Sequence, residues 1–474
     1  MIADKNLPLG FKTMARAELG IDIAEKLFVA LSDSEPTTSI RLNLRKSAGD
    51  NPLFSKATPV EWCDSGYYLD SRPAFTLDPL LHAGVYYVQD ASSMIYETIV
   101  RQITDNAPVK VADLCAAPGG KTTAMLNALP DGSLMLANEF SSARANILKE
   151  NLTKYGYPDI VITNTDVSKL AGLKGYFDIV AIDAPCSGEG MMRKDEAARK
   201  QWSEGLVAQC ASLQREIIES AVKMTTPGGY LIYSTCTFNT SEDENNAAWI
   251  ADTFDLEPID IGLAGKFGIS GQVKGSIPSL RFMPGFTKGE GLFVTVFRKP
   301  EDDESYSSPK KAKKKNSSKD KPQKIDKFLK ETAEKWVDGE YSLRQHDNYL
   351  LALSPHTASL LDSIPAGVRI ILGGIEVCEI KGKDLIPSHQ LAMSTSLAKD
   401  TFPDIPLTLE DALRFLSREA VTLPETTPKG YVTVSYSGHI LGFMKHHGNR
   451  SNNLYPRDYR IHTRIPTQNP SETC

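Results

Sequence analysis

Two cysteines stand where a nucleophile would be presented, each closing an apolar stretch. Cys186 ends Phe177-Asp178-Ile179-Val180-Ala181-Ile182-Asp183-Ala184-Pro185-Cys186, and Cys236 ends Gly228-Gly229-Tyr230-Leu231-Ile232-Tyr233-Ser234-Thr235-Cys236. Both follow predicted strands and border turns. A free cysteine is more often buried and inert, which is the reading kept for Cys63, Cys115, Cys210, Cys378 and Cys474. A glycine turn suited to a nucleotide-like cofactor lies upstream, and the combination suggests covalent chemistry on a cytosine ring.

Carbon 5 of cytosine is a poor nucleophile. Attack of a thiolate on carbon 6 turns the ring into an enamine-like species that can take a methyl group, after which a base must remove the carbon-5 proton. The chemistry therefore needs a thiolate, an acid near ring nitrogen 3 and a methyl donor. Cys236 or Cys186 supplies the first and Asp183 the second. Asp183 would have to carry or share a proton as the ring takes up charge, which a desolvated site favours. The thiol needs a positive field or a nearby base, for which Lys121, Arg193 and Lys194 are the candidates.

The donor's place is the run Cys115-Ala116-Ala117-Pro118-Gly119-Gly120-Lys121-Thr122, between a predicted strand and a predicted helix. Strand, glycine turn and helix together aim backbone N–H groups at a ligand. Glu139 ends the next strand, about 20 residues on, where a ribose partner is expected. Asp166 ends the third and is placed for an adenine amino group. The run nearly fits a phosphate-binding P-loop, but Cys115 replaces its first glycine, and the G-x-G-x-x-G of a nicotinamide enzyme is missing.

The elements that must position these groups alternate. Strands are expected at 109–115, 134–139, 159–164, 177–183, 228–235 and 292–298, with helices at Lys121–Leu129 and Val207–Met224 between them. This is the pattern of a mostly parallel sheet. Thr240-Ser241-Glu242-Asp243-Glu244 opens a further helix, with Ser241 and Glu244 at capping-box spacing. Ahead of this α/β core, residues 1–95 show a helical pattern (Phe11, Met14, Leu19, Ile23, Leu27, Phe28, Leu31). The strand Ser39–Lys46 follows, its alternation putting Arg41, Arg45 and Lys46 on a solvent face.

Residues 96–300 hold the core, and 301–325 form a Lys- and Ser-rich linker too poor in apolar residues to order itself. Residues 326–474 make an α+β region with strands at 367–372, 431–436 and 439–444, the last two joined by a Ser437-Gly438 turn. Of the 474 residues, 41% are hydrophobic and 24% charged, as in a soluble globular protein. No apolar run is long enough to span a bilayer, the opening residues lack the basic and apolar pattern from which a signal peptide would be expected, and the seven cysteines contain no C-x-x-C pair. A cytoplasmic protein with reduced thiols, no metal and no membrane partner is expected. The net charge of −6 demands that any phosphate contacts come from a local basic face.

Three motifs in order carry a resemblance: Asp113-Leu114-Cys115-Ala116-Ala117-Pro118-Gly119-Gly120-Lys121-Thr122, Asp183-Ala184-Pro185-Cys186-Ser187-Gly188-Glu189-Gly190 and Tyr233-Ser234-Thr235-Cys236-Thr237. Residues 1–300 resemble the Nol/Nop/Sun family of RNA cytosine-5 methyltransferases. The resemblance implies a class I (Rossmann-like) methyltransferase core that uses S-adenosylmethionine, with an N-terminal α+β RNA-binding lead-in. It implies Cys236 as nucleophile, Cys186 as the cysteine that assists release of the methylated RNA, and Asp183 as the acid on the cytosine. By the logic of DNA cytosine methyltransferases, Cys186 would be the nucleophile instead. The implied cofactor residues are Cys115, Ala116, Ala117, Pro118, Gly119, Gly120, Lys121, Glu139, Asp166 and Asp183.

Two departures stand out: Asp90 where Glu is frequent, and Gly285 where His commonly follows proline. The C-terminal part looks like the PUA-like extension of bacterial members that methylate small-subunit ribosomal RNA. It offers Lys445, Arg450 and Arg457 to phosphates and Tyr455 as a stacking face, alongside Arg193 and Lys194 in the core. The expected partner is ribosomal RNA, or the small subunit itself, acted on by a monomer. A tRNA substrate, or a non-catalytic assembly factor, is the alternative.

Overall fold

The fold centres on a twisted sheet that carries the site on one edge. The structure is a computed structural model that describes residues 7–33, 35–46, 56–301 and 326–463. Apart from Glu301, the expected linker lies outside the described residues.

Five parallel strands form the middle of the sheet, in the order Thr225–Thr235, Phe177–Asp183, Lys110–Asp113, Leu134–Asn138, Ile160–Asn164. Leu292–Arg298 adds antiparallel beside Thr225–Thr235, with Glu257–Ile259 outside it. The chain moves outward one way from Lys110–Asp113, then returns to its other side. That reversal opens a crevice at the strands' carboxyl ends, where ligands bind in such sheets. The strands are apolar on both faces because helices cover both, and two buried clusters, around Ile179 and around Val180, lie on opposite sides. The expected class I α/β core is present.

Two details differ from the sequence reading. The helix after Thr240 begins at Glu244, with no side-chain cap on its N-terminus. Glu244 does not reach back to Ser241; it pairs with buried Arg281 at 2.6 Å and accepts from Val273 N at 3.0 Å. A buried guanidinium outcompetes the capping box because leaving it unpaired would cost far more. The second difference is an added edge strand: Arg369–Gly373 crosses back from the C-terminal part to pair antiparallel with Ile160–Asn164.

The N-terminal helical pattern splits into Leu9–Leu19 and Ile21–Asp33, broken at Gly20 with φ 84°. The strand Thr38–Leu42 is buried on both faces. Ile40 joins a core shared with Phe415, Leu441 and Tyr455 from the far end of the chain. The solvent face expected for Arg41, Arg45 and Lys46 is therefore not there. Arg41 is buried. Arg45 donates to Leu126 O and Leu129 O, at the carboxyl end of the helix Gly120–Ala128. Lys46 donates to Lys154 O and Ala83 O, at the ends of two further helices. Cations suit helix C-termini, and period-2 alternation says nothing of a second layer. Burial pulls the Lys46 ammonium down to about 7.

The C-terminal part holds two four-stranded sheets, one of Ser342–His346, Tyr349–Leu353, Ile375–Lys381 and Asp384–Pro387. The other has Gly430–Tyr436 and His439–His446 paired across Ser437 and Gly438, both at positive φ. Such φ values suit a tight hairpin.

Candidate active site

Cys186 and Cys236 come from neighbouring parallel strands, and their sulfurs meet at 3.0 Å. The motif residues build this approach. Gly190 N donates to Cys236 O at 2.8 Å, and a Cβ on Gly190 would stand 3.0 Å from that oxygen, so only glycine lets the two loops close. Glu189 accepts from Phe238 N at 2.7 Å, Trp202 Nε1 at 3.0 Å and Asn239 Nδ2 at 3.0 Å, clamping the segment after Cys236 onto the segment after Cys186. Glu242 closes the other side, accepting from Ser187 N and Gln214 Nε2.

Both thiols are only partly buried. Cys236 N also donates to Cys186 Sγ at 3.4 Å. The contact with Cys236, burial and nearby Glu242 push the Cys186 thiol well up. Cys186 therefore holds its proton, and its thiol lies within reach of the neighbouring sulfur.

Lys121 Nζ lies 2.8 Å from Asp183 Oδ2. Ser234 Oγ donates to Asp183 Oδ1 at 3.0 Å, and Tyr96 Oη donates to Ser234 Oγ at 2.8 Å. Burial alone would lower the Lys121 ammonium, but Asp183, Cys236 and Asp90 together hold it above its usual range. Of the three candidate cations, Lys121 is the one set between acid and thiol. Arg193 is not free for either role: it is 6% exposed and bound by both Glu290 oxygens, at 2.5 and 2.8 Å, with Lys194 at 3.3 Å from the same carboxylate. Asp183 thus accepts from an ammonium at one oxygen and from a hydroxyl at the other. Ser234, Tyr96, Glu189 and Glu242 were not singled out from sequence, although three of them lie in or beside the quoted motifs.

The loop Cys115–Lys121 lies between the strand end Asp113 and the helix Gly120–Ala128. Gly119 takes φ 113°, and a Cβ there would stand 3.4 Å from Leu148. Arg144 Nη2 holds Ala117 O at 2.6 Å, Asn151 Nδ2 holds Pro118 O at 2.8 Å, and Ala116 N donates to Asn138 O. Burial, with Asp113 and Asp183 near, pushes the Cys115 thiol far up, so it is inert. Glu139 and Asp166 follow the next two strands, each accepting at one oxygen from a backbone N–H two residues on. Hydrogen bonds from Ser168 lower the Asp166 carboxyl. A fixed glycine loop followed by two strand-end carboxylates is a donor set that fits an adenosyl group.

Asp113, beneath the loop, accepts from Thr122 Oγ1 at 2.6 Å, yet burial raises its carboxyl to about 7. The native state then holds a proton that the unfolded chain releases near 3.8, so this group's stabilisation is full below that pH and is lost as pH rises through about 7. Asp113→Asn is expected to remove that loss, worth on the order of 1.4 kcal/mol per pH unit across the window. Urea denaturation of both proteins at pH 5 and pH 8 checks it. Wild type should lose more stability than the variant between the two.

Three family models match in chain order: the N-terminal domain of 16S rRNA methyltransferase RsmF over residues 7–91, 16S rRNA methyltransferase RsmB/F over 102–298, and the methyltransferase RsmF PUA domain over 402–461. Ribosomal RNA small subunit methyltransferase F of Enterobacter sp. is 30% identical over 480 residues, covering 95% of each chain. Its counterpart in Shewanella loihica is 30% identical, covering 84% of this chain and 83% of that one. The chain belongs to the RsmB/F methyltransferase family. A methyltransferase homologue from Pyrococcus horikoshii shares the fold, with 23% identity and a TM-score of 0.53 over 61% of this chain and 94% of that one. As a member of this family the enzyme takes its methyl group from S-adenosylmethionine.

A histidine at the Gly285 turn would be strained. Gly285 sits at φ 87°, and a Cβ would stand 3.2 Å from Ala30 Cβ and Lys26 O. In the PUA-matched part, Tyr455 is fully buried between Phe415 and His389, so it offers no stacking face. Packing against the N-terminal region took the ring that sequence assigned to RNA. Arg450 is exposed in a turn, and Lys445 lies half-buried over the Tyr431 ring. Among the described residues, no helix is long and apolar enough to cross a membrane.

Proposed function

We propose that this enzyme methylates carbon 5 of a cytosine in 16S ribosomal RNA, with Cys236 as the nucleophile. The observation that carries the reading is the contact of two sulfurs at 3.0 Å beside the Lys121–Asp183 pair, at the strand ends next to the glycine loop. The 16S assignment follows the descriptions of the matching family models, and the relatives are named for the small-subunit ribosomal RNA.

Each side chain then has a task. Cys236 Sγ adds to carbon 6 of an unstacked cytosine, with the Lys121 ammonium favouring the thiolate. Asp183, held by Lys121 and Ser234, hydrogen-bonds the ring edge at nitrogen 3, and the Lys121 proton shared across that pair answers the charge the ring takes up. S-adenosylmethionine, held by residues 115–121, Glu139 and Asp166, supplies an electrophilic methyl group. Water in the cleft takes the carbon-5 proton, the electron pair left behind expels the Cys236 sulfur from carbon 6, and Cys186, touching that sulfur, assists its departure by offering its own proton. Exposed Arg450 and Arg457, with half-buried Lys445 beside them in the same part of the chain, offer positive charge to RNA phosphates.

Cys186→Ala is expected to trap the enzyme on RNA as an adduct that survives denaturation, visible as a shifted band on a denaturing gel. A trap formed by Cys236→Ala instead would mean the two roles are exchanged. Bisulfite sequencing of total RNA from cells with and without the protein tests the substrate. A lost signal in 16S rRNA is expected, and a signal lost only from tRNA would refute the assignment.

A further inference from the structure

A cavity of about 180 Å³ is lined by none of the residues around the thiols. It lies between the strands Thr38–Leu42 and Tyr86–Val88 and the last turns of the helix Ser142–Tyr155. None of the proposed cofactor residues lines it. One wall is Arg41, which is 1% exposed. Its guanidinium donates from Nε to Gln89 Oε1 at 2.8 Å and from Nη2 to Thr123 Oγ1 at 2.6 Å, both uncharged partners. Nη1 has no partner among the described residues, and neither has Nε2 of buried Gln89 beside it.

The charges nearby are already committed. Glu97 accepts from Ser65, Asn127 and Arg101, and Lys154, the cavity's other cation, pairs with Glu150 at 2.5 Å. A buried guanidinium without a counter-ion is strongly unfavourable. Arg41 lines the cavity as a buried cation whose Nη1 lacks an acceptor, and an acceptor-rich anion beside it would supply the missing counter-charge. The remaining walls are apolar or aromatic, with Leu81, Tyr86, Val88 and Tyr155. They suit the organic part of a phosphate ester better than a fully hydrated ion.

We infer that this cavity receives a phosphate group, taken by Arg41 Nη1 with the Tyr87 hydroxyl as a further donor. Occupancy would be felt at the cofactor loop through two short links. Arg41 also holds Thr123, in the first turn after the loop. Asn151, on the cavity wall, holds Pro118 O within the loop. An anion that fixes Arg41 and the Asn151 wall also steadies the loop they support, so phosphate strengthens S-adenosylmethionine binding, and by reciprocity the cofactor strengthens phosphate binding. Because the inference concerns ligand binding alone, it can fail while the thiol assignments stand.

Inorganic phosphate titrated calorimetrically into the full chain, at constant ionic strength with chloride as control, tests it. Wild type should bind one equivalent saturably, and saturating phosphate should raise S-adenosylmethionine affinity about fivefold. Arg41→Gln deletes the charge but also two buried hydrogen bonds, so a second variant carries the decision. Leu81→Trp narrows the cavity and leaves Arg41 in place; it should weaken phosphate at least about tenfold, with cofactor affinity in chloride unchanged. Competition identifies the source. Phosphate that weakens RNA binding by wild type but not by Leu81→Trp points to an RNA backbone phosphate, and RNA binding indifferent to phosphate points to a free phosphate ester. No saturable heat in wild type, or an equal heat in Leu81→Trp, overturns the site.

Discussion

Cys236→Ala is expected to abolish methyl transfer, lowering the single-turnover rate on the order of 10⁴-fold or more. Without sulfur addition at carbon 6, carbon 5 stays unreactive, and no binding energy from the rest of the site replaces that bond. Cys186 cannot take over, although it lies 3.0 Å away. Its neighbour Cys236 and burial hold it as a thiol. Cofactor binding should survive, because the loop Cys115–Lys121 is fixed by Arg144, Asn151 and Asn138 and not by the thiol. Transfer of a labelled methyl group into 16S rRNA, with cofactor affinity measured alongside, checks both halves of the expectation.

Asp183→Asn carries the second large effect, a loss on the order of 10²- to 10⁴-fold. The substitution keeps the shape and the Ser234 contact but removes the charge that Lys121 faces at 2.8 Å. Lys121→Met should lose a comparable factor, because it strips the positive field from Cys236 and the shared proton from Asp183. The double variant discriminates. If the ion pair acts as one unit, it should be little worse than either single change, since residues acting together are non-additive. Losses that multiply would show two independent roles.

Much of this site was legible in the sequence because its chemistry is concentrated at strand ends. Phe177–Asp183 and Leu292–Arg298 were placed with the right limits, and the other core strands to within a few residues. Continuous apolar runs closed by glycine or proline mark two-sided burial clearly. The surface readings that failed share one cause: they assigned a side chain to solvent that another part of the chain covers. Arg41 alternates as a surface residue would, but helix Gly120–Ala128 lies over it. Tyr455 follows a basic turn, yet it fills a core built jointly with residues near 40 and 80. Arg193 stands beside the thiol motif, and its partner Glu290 is 97 residues away. Pairings of that range leave no local pattern. The supporting acids Glu189 and Glu242 were hidden for the same reason, since their value lies in tying two loops together across the sheet.

The most direct test of the account is to digest the RNA adduct trapped by Cys186→Ala and locate the cross-linked residue by mass spectrometry. A single cytidine-derived nucleotide on the peptide containing Cys236 is expected. An adduct on any other residue, or none formed although substrate RNA and cofactor are bound, would contradict a covalent path through that sulfur.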